Sequence, residues 1–243
     1  MATREAPAPV RIRRAALRLF AAQGFYATGI REIAEAAGIP TSLLYHYRRS
    51  KEEILHDLVV EGVSRHLESS RRALDLTRTP EEALRAMVAV HVLVPVRNPD
   101  MARIMESEVR ALSPASQETV LAMRRQGDAR WEEVLRAGIA ESVFTIPDVV
   151  LARRLLRRMC TGVTLWFTPA AEAEIENVVT GMTDHALGLV RAVRDGKLVR
   201  ATAVTHPPLS ELQEIVESVH REPDFNGVAN RAMTSGPGGR SSP

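Results

Sequence analysis

The sequence predicts an all-α protein in two parts, an N-terminal three-helix helix-turn-helix unit and a larger helical body. Three observations carry this. Aromatic residues make up only 4% of the 243 residues, and apolar residues recur at three- and four-residue steps with no convincing alternating strand. At Thr79-Pro80, Asn98-Pro99 and Ser113-Pro114 a capping residue precedes proline, which suits the first position of a helix. Charge is also uneven. Residues 1–51 hold nine cations (Arg4, Arg11, Arg13, Arg14, Arg18, Arg31, Arg48, Arg49, Lys51) against Glu5, Glu32 and Glu35, or +6, so a chain of net charge +2 leaves −4 for the rest. A basic unit on a mildly acidic body points to a polyanionic partner for the first unit alone.

In chain order, Ile12, Ala15, Ala16, Leu19 and Phe20 form one stripe that stops at Gly24, so the first helix covers residues 8–23. Ile30, Ile33, Ala34 and Ala37 repeat the pattern after Thr28, read as an N-cap, and stop at Gly38. A second short helix then runs to Tyr47, and Ser50 with Glu53 forms a capping box that opens a long helix through Val59. Proline breaks and caps place further helices at 80–94, 99–110, 114–140, 148–166 and 172–195. Past Gly196, Leu209 to His220 is a candidate short helix, and residues 222–243, rich in glycine and proline, read as disordered. The expected division is residues 1–50 as the DNA-binding unit, 51–198 as the sensing and dimerisation unit, and 199–243 as a largely disordered extension.

Two short helices joined by a glycine turn after a longer helix are the pattern of a helix-turn-helix reader, whose second helix enters the major groove. The stripe Ile30, Ile33, Ala34, Ala37 and Leu44 buries the reader, leaving Thr41, Ser42, His46 and Tyr47 to reach base edges or phosphates. The run Thr28-Gly29-Ile30-Arg31-Glu32-Ile33-Ala34-Glu35-Ala36-Ala37-Gly38-Ile39, then Leu44-Tyr45-His46-Tyr47 and Ser50-Lys51-Glu52-Glu53-Ile54-Leu55, resembles the DNA-binding domain of TetR-family regulators over residues 10–60. The resemblance implies that Thr28 and Lys51 hold phosphates, that Thr41, Ser42, Leu43 and His46 face bases, and that Tyr45 and Tyr47 contact backbone or thymine methyl groups. It further implies a palindromic operator, repression, and dimerisation through the last two main helices. Two positions depart from the family pattern. Pro40 stands where a serine commonly opens the recognition helix, which would move the cap to Thr41. Arg48 stands where an apolar residue usually closes it, and either snorkels over the core or contacts a phosphate.

In the body, winding residues 148–166 at 100° each puts Arg153, Arg154, Arg157 and Arg158 on one arc and Leu151, Leu155, Leu156, Met159 and Val163 on the other. Ile175, Val178, Val179, Met182, Ala186, Leu189, Val190 and Val193 form a second stripe, and two such helices suffice for a four-helix bundle in a homodimer. Candidate contacts for a small-molecule effector are Met87, His91, Met105, Met123, Trp131, Cys160 and Trp166. Trp166-Phe167-Thr168-Pro169 is similar to a turn in TetR-type regulators of fatty-acid and sterol breakdown. That similarity implies an acyl-CoA or lipid-derived effector, with Arg103, Arg110 or the basic arc as phosphate partners.

Other functions find little support in the residues. No H-E-x-x-H, G-x-S-x-G, Walker or G-x-G-x-x-G pattern occurs, so an enzyme is not expected. Seven histidines are scattered and Cys160 is the single cysteine, so neither metal nor cofactor nor disulfide is expected. No apolar run approaches the roughly 20 residues of a membrane-spanning helix. With no export signal upstream of Val10, a cytoplasmic location is expected. Two other functions remain open: a multidrug-sensing regulator of the same fold, and an architectural DNA-binding protein without a sensor.

Overall fold

The computed structural model describes residues 6–48 and 50–221. Arg4, Glu5 and Arg49 of the basic N-terminal count, and the expected disorder of residues 222–243, lie outside the described residues. The reader comprises α1 (Ala8–Gln23), α2 (Ile30–Ala36) and α3 (Thr41–Tyr47). The body follows with α4 (Lys51–Leu74), α5 (Pro80–Arg97), α6 (Pro99–Ser107), α7 (Pro114–Ala140), α8 (Val149–Thr161), α9 (Glu172–Leu189) and α10 (Leu209–His220). The capping signals act as local chemistry requires. The hydroxyls of Ser50 and Thr79 accept from the amides of Glu53 (3.1 Å) and Glu82 (3.3 Å), and Asp148 accepts from the amide of Leu151 at 2.9 Å.

Helix α5 is the axis of the body. Its residues Ala86 to Pro95 are all buried, as expected of a helix that is apolar all round and surrounded by α4, α7, α8, α9 and α10. It continues past the expected end at residue 94 to Arg97, because Asn98 closes it: its amide and its side-chain Nδ2 both donate to the Val94 carbonyl at 3.0 Å. The helix expected over 99–110 breaks at Ser107 and tightens into a 3-10 turn at Val109–Ala111.

Helix α8 departs most from expectation. It ends at Thr161 and passes into a 3-10 turn at Gly162–Leu165, and its buried stripe is Ala152, Leu156, Cys160 and Val163. Arg153, expected on the charged arc, is buried, whereas Leu151 and Leu155 of the apolar arc, expected to serve a homodimer bundle, are 52% and 50% exposed in the single chain. Carboxylates on α7 account for the rotation. Arg153 pairs with Asp128 and stands 3.2 Å from Glu132, while Arg157 lies 2.9 Å from the same Asp128. A buried arginine is tolerated only with such partners, and removing one costs about 3–5 kcal/mol.

The helix expected over 172–195 stops at Leu189. A two-stranded hairpin follows, β1 (Val193–Arg194) pairing antiparallel with β2 (Lys197–Leu198). Asp195 and Gly196 both have positive φ, 52° and 74°, the two-residue turn that Asp-Gly favours. Arg194 then fastens the hairpin to α5 through two bonds to Glu81, at 2.6 and 2.9 Å. The extension beyond residue 198 is ordered as far as Arg221. Leu209, Leu212 and Val216 of α10 are buried in the body core, so this segment belongs to the body.

One close approach is absolute. A Cβ on Gly138 of α7 would lie 1.9 Å from the ring of Phe144, which is itself buried. Gly138→Ala is therefore expected to destabilise the protein by about 1–3 kcal/mol through overpacking, read as a fall of several degrees in Tm by scanning calorimetry. An unchanged Tm would show that Phe144 is free to repack.

Candidate functional site

The recognition helix α3 is short, and a single fully buried residue, Leu44, roots it in the reader core. Ser42, Tyr45, His46 and Tyr47 face outward. The rings of His46 and Tyr47 meet edge-on, with centroids 5.4 Å apart. Thr41, the first helical residue, is half-buried, and Pro40 takes the N-cap place without a side-chain hydrogen bond, so the cap does not move to Thr41. Arg48 closes the helix by donating to the Tyr47 carbonyl at 2.8 Å and pairing with Asp57 of α4 at 2.9 Å. Arg48 lines a surface hollow together with Val10, Ile12, Ile54 and Leu58.

The turn between α1 and α2 is held from both sides. The Lys51 ammonium donates to the carbonyls of Phe25 and Thr28, both at 2.7 Å, and sits 4.2 Å above the Phe25 ring. Burial lowers its pKa from the usual lysine value. The Phe25 amide in turn donates to the Glu108 carboxylate, just past α6, at 3.0 Å. From α6 itself, Arg103 donates to the Ala21 carbonyl at 3.1 Å. Met101, Ile104, Leu112 and Val120 of the body complete the apolar core of the reader, so α1 rests directly on α6.

The other face of α6 borders a cavity of about 600 Å³. Val63, Leu67, Val94, Met101, Met105 and Met123 supply apolar wall. Arg124, Arg153, Arg154, Arg157 and Arg158 supply cations against Glu106 and Asp128, a surplus of three positive charges. His66, His91 and His220 also line it. The tautomer of His91 follows from its contacts: the Met87 carbonyl at 2.8 Å can only accept, so Nδ1 carries the hydrogen, and Nε2 accepts from the Trp131 indole at 3.1 Å. Burial pushes the His91 pKa down to about 4.

The family of bacterial regulatory proteins, tetR family, matches residues 12–58, and the tetracyclin repressor-like C-terminal domain matches residues 77–190. The HTH-type transcriptional repressor KstR2 of Rhodococcus jostii (strain RHA1) is 31% identical over 169 residues, covering 67% of this chain and 81% of that protein. The chain belongs to the TetR family. Two solved structures share its fold. The ketosteroid transcriptional regulator KstR2 of Mycobacterium tuberculosis is 25% identical, with a TM-score of 0.70 over 79% of this chain and 98% of that one. AibR, solved in complex with isovaleryl coenzyme A and operator DNA, is 22% identical, with a TM-score of 0.68 over 74% and 97%.

As a TetR-family member, the chain is a DNA-binding transcription regulator with its reader in α1–α3. The structure sorts the sequence-derived DNA residues of this TetR reader into two groups. Ser42, Tyr45, His46 and Tyr47 lie on the open surface, with Thr41 at its edge, whereas Leu43 packs partly against the reader core. Thr28 is buried, its hydroxyl donating to the Gly24 carbonyl at 2.8 Å; Gly29, not Thr28, is the N-cap of α2, and Glu32 accepts from its amide at 3.3 Å. Lys51 is an internal latch. Arg31, exposed on α2, and Tyr26, 78% exposed on the preceding turn, were passed over by periodicity reasoning because neither belongs to an apolar stripe.

Of the effector candidates, His91, Met105 and Met123 line the cavity. Met87, Trp131 and Cys160 are sealed in the core and do not, and burial raises the Cys160 pKa to about 12. Trp166 is 63% exposed, stacked loosely on Phe167 next to the cavity-lining Leu165. Arg103 and Arg110 are exposed elsewhere and do not border the cavity, whereas the arginines of α8 do. Among the described residues no cluster of His, Cys, Asp or Glu could hold a metal, and no helix is long and apolar enough to cross a membrane.

The latch yields a direct expectation. Lys51→Met takes the ammonium from the Thr28 carbonyl and leaves the Phe25 carbonyl only the Thr28 amide, which costs about 1–3 kcal/mol. Differential scanning fluorimetry should therefore show a lowered Tm in the absence of DNA. If Tm holds while affinity for every DNA sequence falls, Lys51 acts on phosphate and not on the fold.

Proposed function

We propose that this protein is a homodimeric transcriptional repressor whose two α3 helices read a palindromic operator, and that an acyl-CoA or related lipid-derived thioester in the cavity releases it. The observation that carries this reading is the double role of α6. Met101 belongs to the reader core and also borders the cavity, with Met105 and Ala102 beside it. A ligand that repositions α6 must move Glu108 and Arg103, and with them the turn at Phe25 and the end of α1.

The ligand class follows from the lining. An apolar wall suits an acyl chain, and a surplus of arginines suits phosphate, which guanidinium binds bidentately. Arg154 makes no ion pair among the described residues, and Arg157 shares its carboxylate with Arg153. The same surplus disfavours the organic cations of a multidrug sensor, and a formed cavity disfavours a purely architectural role. For the dimer, the exposed Val150, Leu151 and Leu155 of α8 form an apolar strip that a second copy would cover. Two readers related by a two-fold axis would then span two half-sites. We assign residues 1–50 to DNA binding and place the cytoplasmic site of action on that function alone.

The test is a titration of medium-chain acyl-CoA thioesters, free fatty acids and aromatic drug cations against operator affinity and Tm. Thioesters should raise Tm and weaken operator binding about 5- to 150-fold, and operator should weaken thioester binding by the same factor. A drug cation that shifts both while no thioester does would replace the lipid reading with multidrug sensing.

Glu108→Ala tests the route. It should leave thioester affinity of the DNA-free protein nearly unchanged while shrinking the mutual weakening several-fold, measured by calorimetric binding with and without operator. Coupling equal to wild type would rule Glu108 out of the pathway.

A further inference from the structure

Helix α10 lies beyond residue 190, where the match to the family's C-terminal domain stops, yet its last residue borders the cavity. The helix is fixed there by Leu209, Leu212 and Val216 in the body core and by Arg65 of α4, which donates to the His220 carbonyl at 2.9 Å. The His220 Nε2 that this anchoring delivers is buried and meets no hydrogen-bond partner among the described residues. A buried polar atom without a partner is uncommon and calls for an explanation.

Its surroundings define what would satisfy it. His66 of α4 lines the same cavity, its ring edge-on to that of His91 at 4.3 Å between centroids. His91 is saturated by Met87 and Trp131 and serves as wall. Burial lowers the pKa of His66 and takes that of His220 down to about 4, so both rings are neutral at physiological pH. A neutral imidazole offers one donor and one acceptor and no charge, a set that a hydroxyl meets in full and a ketone oxygen meets through the donor.

We propose that His220 of α10, with His66 of α4, forms a polar subsite in the effector cavity that recognises a hydroxyl or ketone oxygen on the acyl portion of the ligand. This rests on the reading of the cavity as a thioester site. It makes α10 a specificity element: the arginines of α7 and α8 hold the phosphates common to all such thioesters, and the histidines choose among acyl groups.

The experiment compares medium-chain acyl-CoA thioesters with counterparts carrying a terminal hydroxyl or a ketone, by calorimetry on the full-length protein. Wild type should bind an oxygenated member about three- to tenfold more tightly than its parent, the value of one neutral hydrogen bond. His220→Leu should erase that preference while still binding the parents, and His220→Gln, which keeps a hydrogen-bonding group, should retain part of it; thermal melting of each variant checks the fold. A preference that survives in His220→Leu overturns the subsite. So does parent binding in wild type with no preference. If no thioester of either kind binds, the thioester reading itself fails, and the subsite with it.

Discussion

The peptide unit at Phe25 is the constraint on which the arrangement depends. Its carbonyl is held by Lys51 at the start of α4 and its amide by Glu108 after α6, while its ring lies under the Lys51 ammonium. Charge-assisted bonds of this kind are about twice as strong as neutral ones, and each here is partly shielded from water. The reader is consequently not a bead on a string. Its apolar core is finished by Met101 and Ile104, so its orientation is set by wherever α6 lies.

That dependence explains why one cavity wall can matter at a distance. The interior is close-packed, and a displacement of α6 has no slack to dissipate into before it reaches α1. Gly62 of α4 shows how tight the packing is, since a Cβ there would stand 2.8 Å from the sulfurs of both Met101 and Met105. The material at this contact is methionine, an unbranched side chain that adapts to irregular gaps.

The helices and the reader were legible in the sequence because their signals are local. Ser50, Thr79, Ser113 and Asp148 cap helices through contacts three residues away, and Leu44 is the fully buried anchor of α3, with Leu43 partly packed beside it. What was illegible depended on partners distant in sequence. Periodicity put Arg153 in solvent because it weighs arginine as a lone charge, whereas Asp128 and Glu132, over twenty residues earlier, make its burial tolerable. Thr28 and Lys51, phosphate contacts by family resemblance, also bond within the chain, Thr28 to the Gly24 carbonyl and Lys51 to the Thr28 carbonyl, and those partners have no local signal. The hairpin was readable in principle from Asp195-Gly196, and the apolar pattern running on to Val193 concealed it. Nothing local marks His220 as a cavity residue, because α10 reaches it only by packing back on α4 and α5.

The rotation of α8 ties the remaining features together. By turning Arg153 inward and lining the cavity with Arg154, Arg157 and Arg158, the helix gives its charged side to the cavity and leaves Leu151 and Leu155 exposed on the adjoining face. In the proposed repressor, an anionic ligand that draws the arginines away from Asp128 of α7 and Glu106 of α6 would change the seat of α8 on both helices, and with it the angle of the leucine strip. Release from an operator then need not rely on α6 alone. If two readers match a fixed half-site spacing, as proposed, a small tilt of α8 would be multiplied over the distance from the dimer axis to α3, and the ligand would act through the interface as well as through the reader's own anchor.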